Sequence, residues 1–263
     1  MSQAGSTASD ALPAAQHDWT SIFRWLKLGW LDLWNRPLAS LTYGLIVFLI
    51  SWVVVASLFS FDLSAYLFPA LAGFLIVGPI LALGLYDKSR RIEDGAAASL
   101  GTMLLVRPKS TTQILFSGVL LCLLMLLWMR AAVILYALFF GLRPFLGLSD
   151  ILPFVFGTLD GWALLIVGSA VGGVFAAFSF AISVFAIPML YDQKTDVFTA
   201  MAISLSTVWR HLGVMLPWGL AIVVLGALTL LSGLTLMIII FPLLGHATWH
   251  VYRDICDLSR LEE

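Results

Sequence analysis

The sequence predicts an all-α integral membrane protein, and three observations predict it. Of its 263 residues 61% are apolar and only 11% charged, against about 45–50% and about 25% in ordinary soluble domains. Six apolar stretches are long enough to cross a bilayer as helices. The basic residues gather on one side of the arrangement those stretches imply. This composition excludes a soluble globule, which needs far more polar surface, and a disordered chain, whose bias is the opposite. Lys and Arg number 14 and Asp and Glu 15, so no basic field points to nucleic acid as a partner. The two cysteines, Cys122 and Cys256, fit neither a disulfide framework nor a zinc or redox spacing.

Residues 1–17 are small, polar and Pro-containing, without the basic start and apolar core of a signal peptide, and predict a disordered tail. A single membrane domain is expected over 18–256, followed by a short cytoplasmic tail, 257–263. The domain opens on Trp19, Ile22, Phe23, Leu26, Trp30, Leu33 and Trp34, spaced by three and four, which predicts an amphipathic helix. Trp19, Trp25, Trp30 and Trp34, with basic residues among them, suit the headgroup layer or a seat on the cytoplasmic face of the bundle. Pro37 ends this helix. Spans are expected at about 38–61, 66–86, 114–136, 161–190, 214–231 and 234–251. The last two are joined only by Ser232 and Gly233, and as one helix they would be about 57 Å long, too long for a bilayer.

Six spans place twelve of the fourteen basic residues on one side, which makes both termini cytoplasmic. The connections 92–106 and 196–209 repeat the moderately apolar pattern of 19–34 and predict two further interfacial helices. Each of the three ends at an anchoring arginine, Arg36, Arg107 or Arg210. Each following pair of spans leaves the membrane at Tyr86-Asp87, Tyr191-Asp192 or Tyr252-Arg253-Asp254, near Pro79, Pro188 or Pro242. Together these features suggest three parallel pseudo-repeats of an interfacial helix plus a helical hairpin, at about 18–91, 92–194 and 195–256. Generic placement of Arg, Tyr and Asp at interfaces would give the same pattern.

Arg130 stands about 17 residues into the third span, where it could snorkel to the outer interface and end the span, with 131–141 as an outer helix leading to Arg143. Otherwise it meets an internal partner, for which Asp150 and Asp160 are candidates. His246 and His250 stack on one helical face, a spacing compatible with two ligands to one metal or with separate haem irons. Further ligands and the glutamate of a zinc protease are missing around them, and plain hydrogen bonding at a cytoplasmic helix end beside an aromatic belt is the favoured reading. His17 and His211 are isolated. Gly168 and Gly172 form a small-residue stripe in the fourth span, and Gly73, Gly78 and Pro79 predict a kinked, tightly packed second span.

Several stretches, taken together, resemble one family. They are Gly29-Trp30-Leu31-Asp32-Leu33 with Arg36-Pro37, Ser40-Leu41-Thr42-Tyr43-Gly44, Ala72-Gly73-Phe74-Leu75 through Gly78-Pro79 to Gly84-Leu85-Tyr86-Asp87, Ser89-Arg90-Arg91, and Gly245-His246-Ala247-Thr248-Trp249-His250. The family is the bacterial integral membrane proteins called domain of unknown function 2189, and the resemblance runs from about Trp19 to Leu258. Some members carry a cytochrome c oxidase subunit label, which implies a respiratory context and the bacterial inner membrane. No catalytic residues come with it, and this chain lacks the histidine array of a haem-copper subunit.

The expectation is a non-catalytic inner-membrane protein, an accessory or assembly partner of a respiratory complex, in contact with membrane lipids and with that complex or copies of itself. No P-loop, dinucleotide fingerprint, nucleophile elbow or metalloprotease motif occurs. The alternatives are a transporter of small or lipid-like solutes through a cleft between pseudo-repeats, and haem or copper handling through His246 and His250.

Overall fold

The structure, a computed structural model, describes residues 18–63, 66–141 and 148–259, without the side chains of Phe68 and of residues 148–152 and 257–259. The tail 1–17 with His17, Arg143, the side chain of Asp150 and Arg260 therefore lie outside the described residues. Every regular element among those described is an α-helix.

The helix α1 (Ser21–Trp34) buries Ile22, Trp25, Gly29, Asp32 and Leu33 on one face. The chain then turns through Arg36, whose φ of 59° and ψ of 66° lie in the left-handed region, into α2 (Pro37–Ser60). Pro37 suits the first helical position because its missing N–H would have no helical partner there. The second apolar stretch folds as α3 (Leu67–Leu81) and α4 (Leu83–Glu93), interrupted at Ala82 three residues after Pro79. A single turn, α5 (Leu100–Leu104), is started by a Ser99–Thr102 capping box. The long α6 (Thr111–Phe140) leads to α7 (Leu148–Gly157) and α8 (Leu159–Ser183).

After α8 the chain breaks at Val184 and Phe185 and resumes as α9 (Ala186–Asp192). Two causes coincide at that break. Pro188 cannot donate to the Val184 carbonyl, and the Ser204 hydroxyl inserts into the ladder, accepting from the Phe185 N–H at 3.2 Å and donating to the Ala181 carbonyl at 2.7 Å. Ser204 belongs to α10 (Val197–Arg210), which is N-capped by Asp196, and is followed by α11 (Leu212–Leu231) and α12 (Met237–Ser259).

Taken across these breaks, five helices are long and apolar enough to cross a membrane: Pro37–Ser60, Pro69–Glu93, Thr111–Phe140, Leu159–Asp192 and Leu212–Leu231. The sixth stretch predicted from sequence falls mainly in α12, which is apolar up to Leu244 and mixed from His246 onward. α12 is the organising helix. It packs along α1 and against α2 and α4, while α3, α6 and α8 form a second group joined by α10. In that group Trp128 of α6 donates to the Pro69 carbonyl at 3.0 Å and lies against Phe175 of α8, centroids 5.7 Å apart.

Three expectations need correction. The connection 92–106 is not one interfacial helix: Ile92 and Glu93 continue α4, Gly95 at φ 67° stops it, and only α5 follows. Arg130 does not end its helix. It is exposed on an α6 that runs unbroken to Phe140, so 131–140 continues that helix, and no ion pair to the exposed Asp160 forms. Trp25 is no interface anchor. It is fully buried against Trp218, and its indole N–H donates to Asp254 at 2.8 Å.

Candidate functional site

Polar side chains collect where α2 and α6 begin and α1, α4, α9 and α12 end. The glycines of the signature stretches make this convergence possible. A Cβ on Gly29 would come within 2.9 Å of the Leu243 carbonyl oxygen and of the Ala247 Cβ, and one on Gly44 within 2.9 Å of Pro242 Cγ. Cβ atoms on Gly84 and Gly245 would overlap the Met103 carbonyl and the Leu85 side chain. α12 can therefore lie backbone to backbone on α1 and α2, bringing its histidines to residues more than 200 positions away in the chain.

His246 is completely buried at this crossing. Its Nε2 lies 2.9 Å from Ser40 Oγ and its Nδ1 2.8 Å from Ser89 Oγ. Ser40 is also the closest partner of Lys88, whose Nζ donates to Ser40 Oγ at 2.7 Å and to the Arg36 and Leu33 carbonyls at 3.4 and 3.5 Å. Because an ammonium only donates, Ser40 accepts from Lys88 and has its own proton for His246 Nε2; the ring then donates from Nδ1 to Ser89. Lys88, Ser40, His246 and Ser89 thus form one buried chain of hydrogen bonds, and the lysine holds the carbonyls of the α1–α2 corner.

One turn along α12, His250 Nε2 lies 2.8 Å from Asp32 Oδ2, and Nδ1 lies 3.7 Å from Glu93 Oε1. Glu93 also pairs with Arg253 at 3.3 Å. Beyond them, Asp87 accepts from Arg91 Nε at 2.6 Å and from the Tyr191 hydroxyl at 2.8 Å. Asp192 meets Arg90 at 3.3 Å, Lys109 at 3.7 Å and the Tyr252 hydroxyl at 3.4 Å. Asp254 accepts from Trp25 and pairs with Arg24. The rings of Tyr86, Tyr191 and Tyr252 all face Trp249, with centroids 6.4, 5.8 and 5.5 Å away.

Of the residues singled out in the sequence, His246 and His250 are brought into this cluster. Their ring nitrogens meet serine hydroxyls and carboxylates, and no group of three or more His, Cys, Asp or Glu among the described residues is placed to hold a metal. Trp19 just before α1 and Trp30 and Trp34 on it are exposed, and Arg36, Arg107 and Arg210 are exposed where α2, α6 and α11 begin or are approached. Gly73 and Gly172 do face neighbours: Cβ atoms there would lie 3.1 Å from Met125 Cγ and 3.0 Å from the Trp128 ring. Gly78 and Gly168 open onto space, so they mark no close helix contact. His211 Nδ1 lies 2.9 Å from the Thr207 carbonyl, away from the cluster.

Sequence reasoning missed Ser40, Lys88, Ser89, Asp32 and Glu93 as site residues. Lys88 was legible only as a basic residue of a connection. Leu85, Ser89 and Ile92, spaced by four and three, were the sign that the helix continues through it. Chemically, the hydroxyls and imidazole could pass a proton between Lys88 and Ser89.

Residues 67–192, from the start of α3 to the end of α9, match the family model described as predicted integral membrane protein (DUF2189). No curated protein and no solved structure matches the chain. The signature stretches in α1, α2 and α12 lie outside the matched residues, yet they pack directly on α4 within them. Through that central segment the chain matches the DUF2189 family model, described as predicted integral membrane protein.

Proposed function

We propose that this protein is a non-catalytic, six-span component of the bacterial inner membrane, with both termini in the cytoplasm, whose cytoplasmic end is a rigid platform for a partner. The observation that carries the reading is the engagement of the polar end with itself. The imidazoles, the buried ammonium and the carboxylates of Asp32, Asp87, Glu93, Asp192 and Asp254 all contact one another or nearby hydroxyls and carbonyls. Such a cluster fixes helices rather than turning over a substrate.

The sixth span is the apolar half of α12 with the turn before it. It ends in the cluster, where its polar residues need not face lipid. Orientation follows from the pairing partners: Arg24, Lys88, Arg90, Arg91, Lys109 and Arg253 all meet at this end, as the positive-inside rule requires of a cytoplasmic one. Exposed apolar residues ring the same end, Trp19 just before α1, Phe23, Trp30 and Trp34 on α1, Leu105 after α5, and Phe198 and Trp209 on α10. Headgroup-level contact with lipid or with a neighbouring subunit accounts for them.

The threefold pseudo-repeat gains support from the donor pattern. Tyr191 of the second unit bonds Asp87 of the first, Tyr252 of the third bonds Asp192 of the second, and Trp25 of the first bonds Asp254 of the third, closing a ring. The partner is proposed to be a respiratory complex of the cytochrome oxidase type, a reading that rests on the family label alone. Purification from native membranes in mild detergent, with partners identified by mass spectrometry and haem and metals by absorption and elemental analysis, tests it. A stoichiometric respiratory subunit is expected. A lone chain under the gentlest extraction refutes the platform, and stoichiometric haem or copper would transfer the role to His246 and His250.

A further inference from the structure

We infer that the α1–α2 corner is a binding site for the phosphate of an anionic phospholipid. A cavity of about 270 Å³ opens there, walled by Asn35, Arg36, Lys88 and the 95–98 loop. That is below the roughly 300–1,000 Å³ of drug-sized pockets and suits a headgroup. The wall residues include two cations and no carboxylate.

The donors of Arg36 and of the 97–98 backbone have capacity to spare. The exposed Arg36 guanidinium has one partner among the described residues, the Ala98 carbonyl at a long 3.5 Å, which leaves most of its five N–H groups for a ligand. The N–H groups of Ala97 and Ala98 take no hydrogen bond among the described residues, whereas those of Gly95 and Ala96 bond the Ile92 and Arg91 carbonyls. Lys88 is completely buried and its ammonium is taken up by Ser40 and the Leu33 and Arg36 carbonyls, so in the wall it serves as a fixed positive charge in low-dielectric surroundings and not as a donor to the ligand. The carboxylates next to wall residues in sequence are engaged elsewhere: Asp87 faces Arg91 and Tyr191, Glu93 and Asp94 face Arg253 and Arg90, and Asp32 faces His250.

The surroundings select a lipid over a free anion. Trp34 and Leu38, on either side of Asn35 and Arg36, are 51% and 80% exposed, and Leu104 at the end of the facing α5 and Leu105 just after it are 53% and 78% exposed. A phosphate held by Arg36 would place acyl chains against these side chains, whereas a soluble phosphate would leave them bare. The lack of a wall carboxylate leaves nothing to hold a headgroup amine, so the lipid is one without it, of the phosphatidylglycerol kind.

This inference does not depend on the partner reading, and its test needs no partner. The purified full chain in neutral detergent is titrated with dihexanoyl phosphatidylglycerol, dihexanoyl phosphatidylcholine and inorganic phosphate, and the thermal unfolding midpoint is followed. In the unaltered chain phosphatidylglycerol should act at a concentration at least about tenfold below phosphatidylcholine, and inorganic phosphate should neither stabilise nor compete. Arg36→Gln should raise the phosphatidylglycerol requirement at least about fivefold and leave that of phosphatidylcholine unchanged. Ala97→Glu, at an exposed loop position, should do the same and covers the case in which Arg36→Gln folds poorly. Wild-type responses in Ala97→Glu, or equal responses to the two lipids, overturn the site. A shift reproduced by inorganic phosphate overturns the lipid assignment.

Discussion

Gly44→Ala tests the closest helix contact behind the cluster. The added Cβ would sit 2.9 Å from the Ile238 carbonyl carbon and from Pro242 Cγ, and nearer still to the Ile238 oxygen. That carbonyl lies four residues before Pro242, which has no N–H to give it, so its oxygen is turned toward α2. The obstacle is backbone and a proline ring, and neither can rotate away. Restoring ordinary contact at about 3.5–4.0 Å requires α12 to retreat by about 1 Å. Overpacking of this kind costs about 1–3 kcal/mol. The upper end applies here, because the same retreat stretches the bonds of His246 to Ser40 and of His250 to Asp32, now 2.9 and 2.8 Å. Gly168→Ala is the control, since its Cβ meets nothing within 4 Å and gains up to about 1 kcal/mol of helix propensity. Unfolding can be read from the reactivity of the buried Cys256 thiol on heating in detergent, with the exposed Cys122 replaced by Ser. At about 2–4 °C per kcal/mol, Gly44→Ala should lower the midpoint by about 6–12 °C and Gly168→Ala should not lower it. A Gly44→Ala midpoint equal to wild type, or an equal fall in Gly168→Ala, would refute the reasoning.

Further outcomes follow from single contacts. Tyr191→Phe leaves Asp87 with Arg91 alone and should cost about 1–2 kcal/mol; in an Asp87→Asn background the same change should cost clearly less, and equal costs would mean the hydroxyl acts elsewhere. Arg36→Gly should be more stable than Arg36→Ala by about 1 kcal/mol, because φ 59° suits glycine, and the reverse order in thermal melts would show that the corner relaxes. Asp196 caps α10, and the Thr199 side chain and backbone N–H hold its carboxyl below the usual carboxylate range. A depressed folded value means its stabilisation is present above about pH 4, the unfolded carboxylate range, and fades as pH falls through the folded value. The midpoint gap between wild type and Asp196→Ala should therefore narrow below about pH 4, and a gap unchanged at pH 3 contradicts it.

Apolar runs were the legible part of the fold. The expected spans 38–61 and 214–231 became Pro37–Ser60 and Leu212–Leu231, since nothing interrupts either run. Where a polar residue sat inside a run, the reading erred in both directions. Arg130 looked like an end but is carried on the exposed side of a continuous α6, its long side chain at no cost to the backbone ladder. The Asp94-Gly95 stop signal was overridden by the apolar spacing of 92–106, although the left-handed Gly95 is what ends α4. The candidate site was half legible. The i, i+4 spacing gave His246 and His250 on one face, but their partners Ser40 and Asp32 are 206 and 218 residues away. A single sequence holds no signal for such pairings; only the glycines hinted at them, and Gly29, Gly44 and Gly245 proved to be contact points while Gly78 and Gly168 did not.

The charge pattern on which the proposed orientation rests also explains how a chain with so few charges concentrates them at one place. A lone Lys88 or Asp32 at the level of the first helical turns would be costly to bury. Each is held instead by partners from another helix: Lys88 by Ser40 and the α1–α2 corner, Asp32 by His250, Asp87 by Arg91 and Tyr191. Removing any one partner leaves a buried charge uncompensated, so the cluster couples α1, α2, α4, α9 and α12 more tightly than apolar packing in lipid would, where hydrocarbon on hydrocarbon gives no net driving force. The apolar halves of the spans can then stay exposed to lipid along α6 and α8, as Leu123, Leu126, Ile166 and Val174 are, because the position of the helices is decided at the polar end.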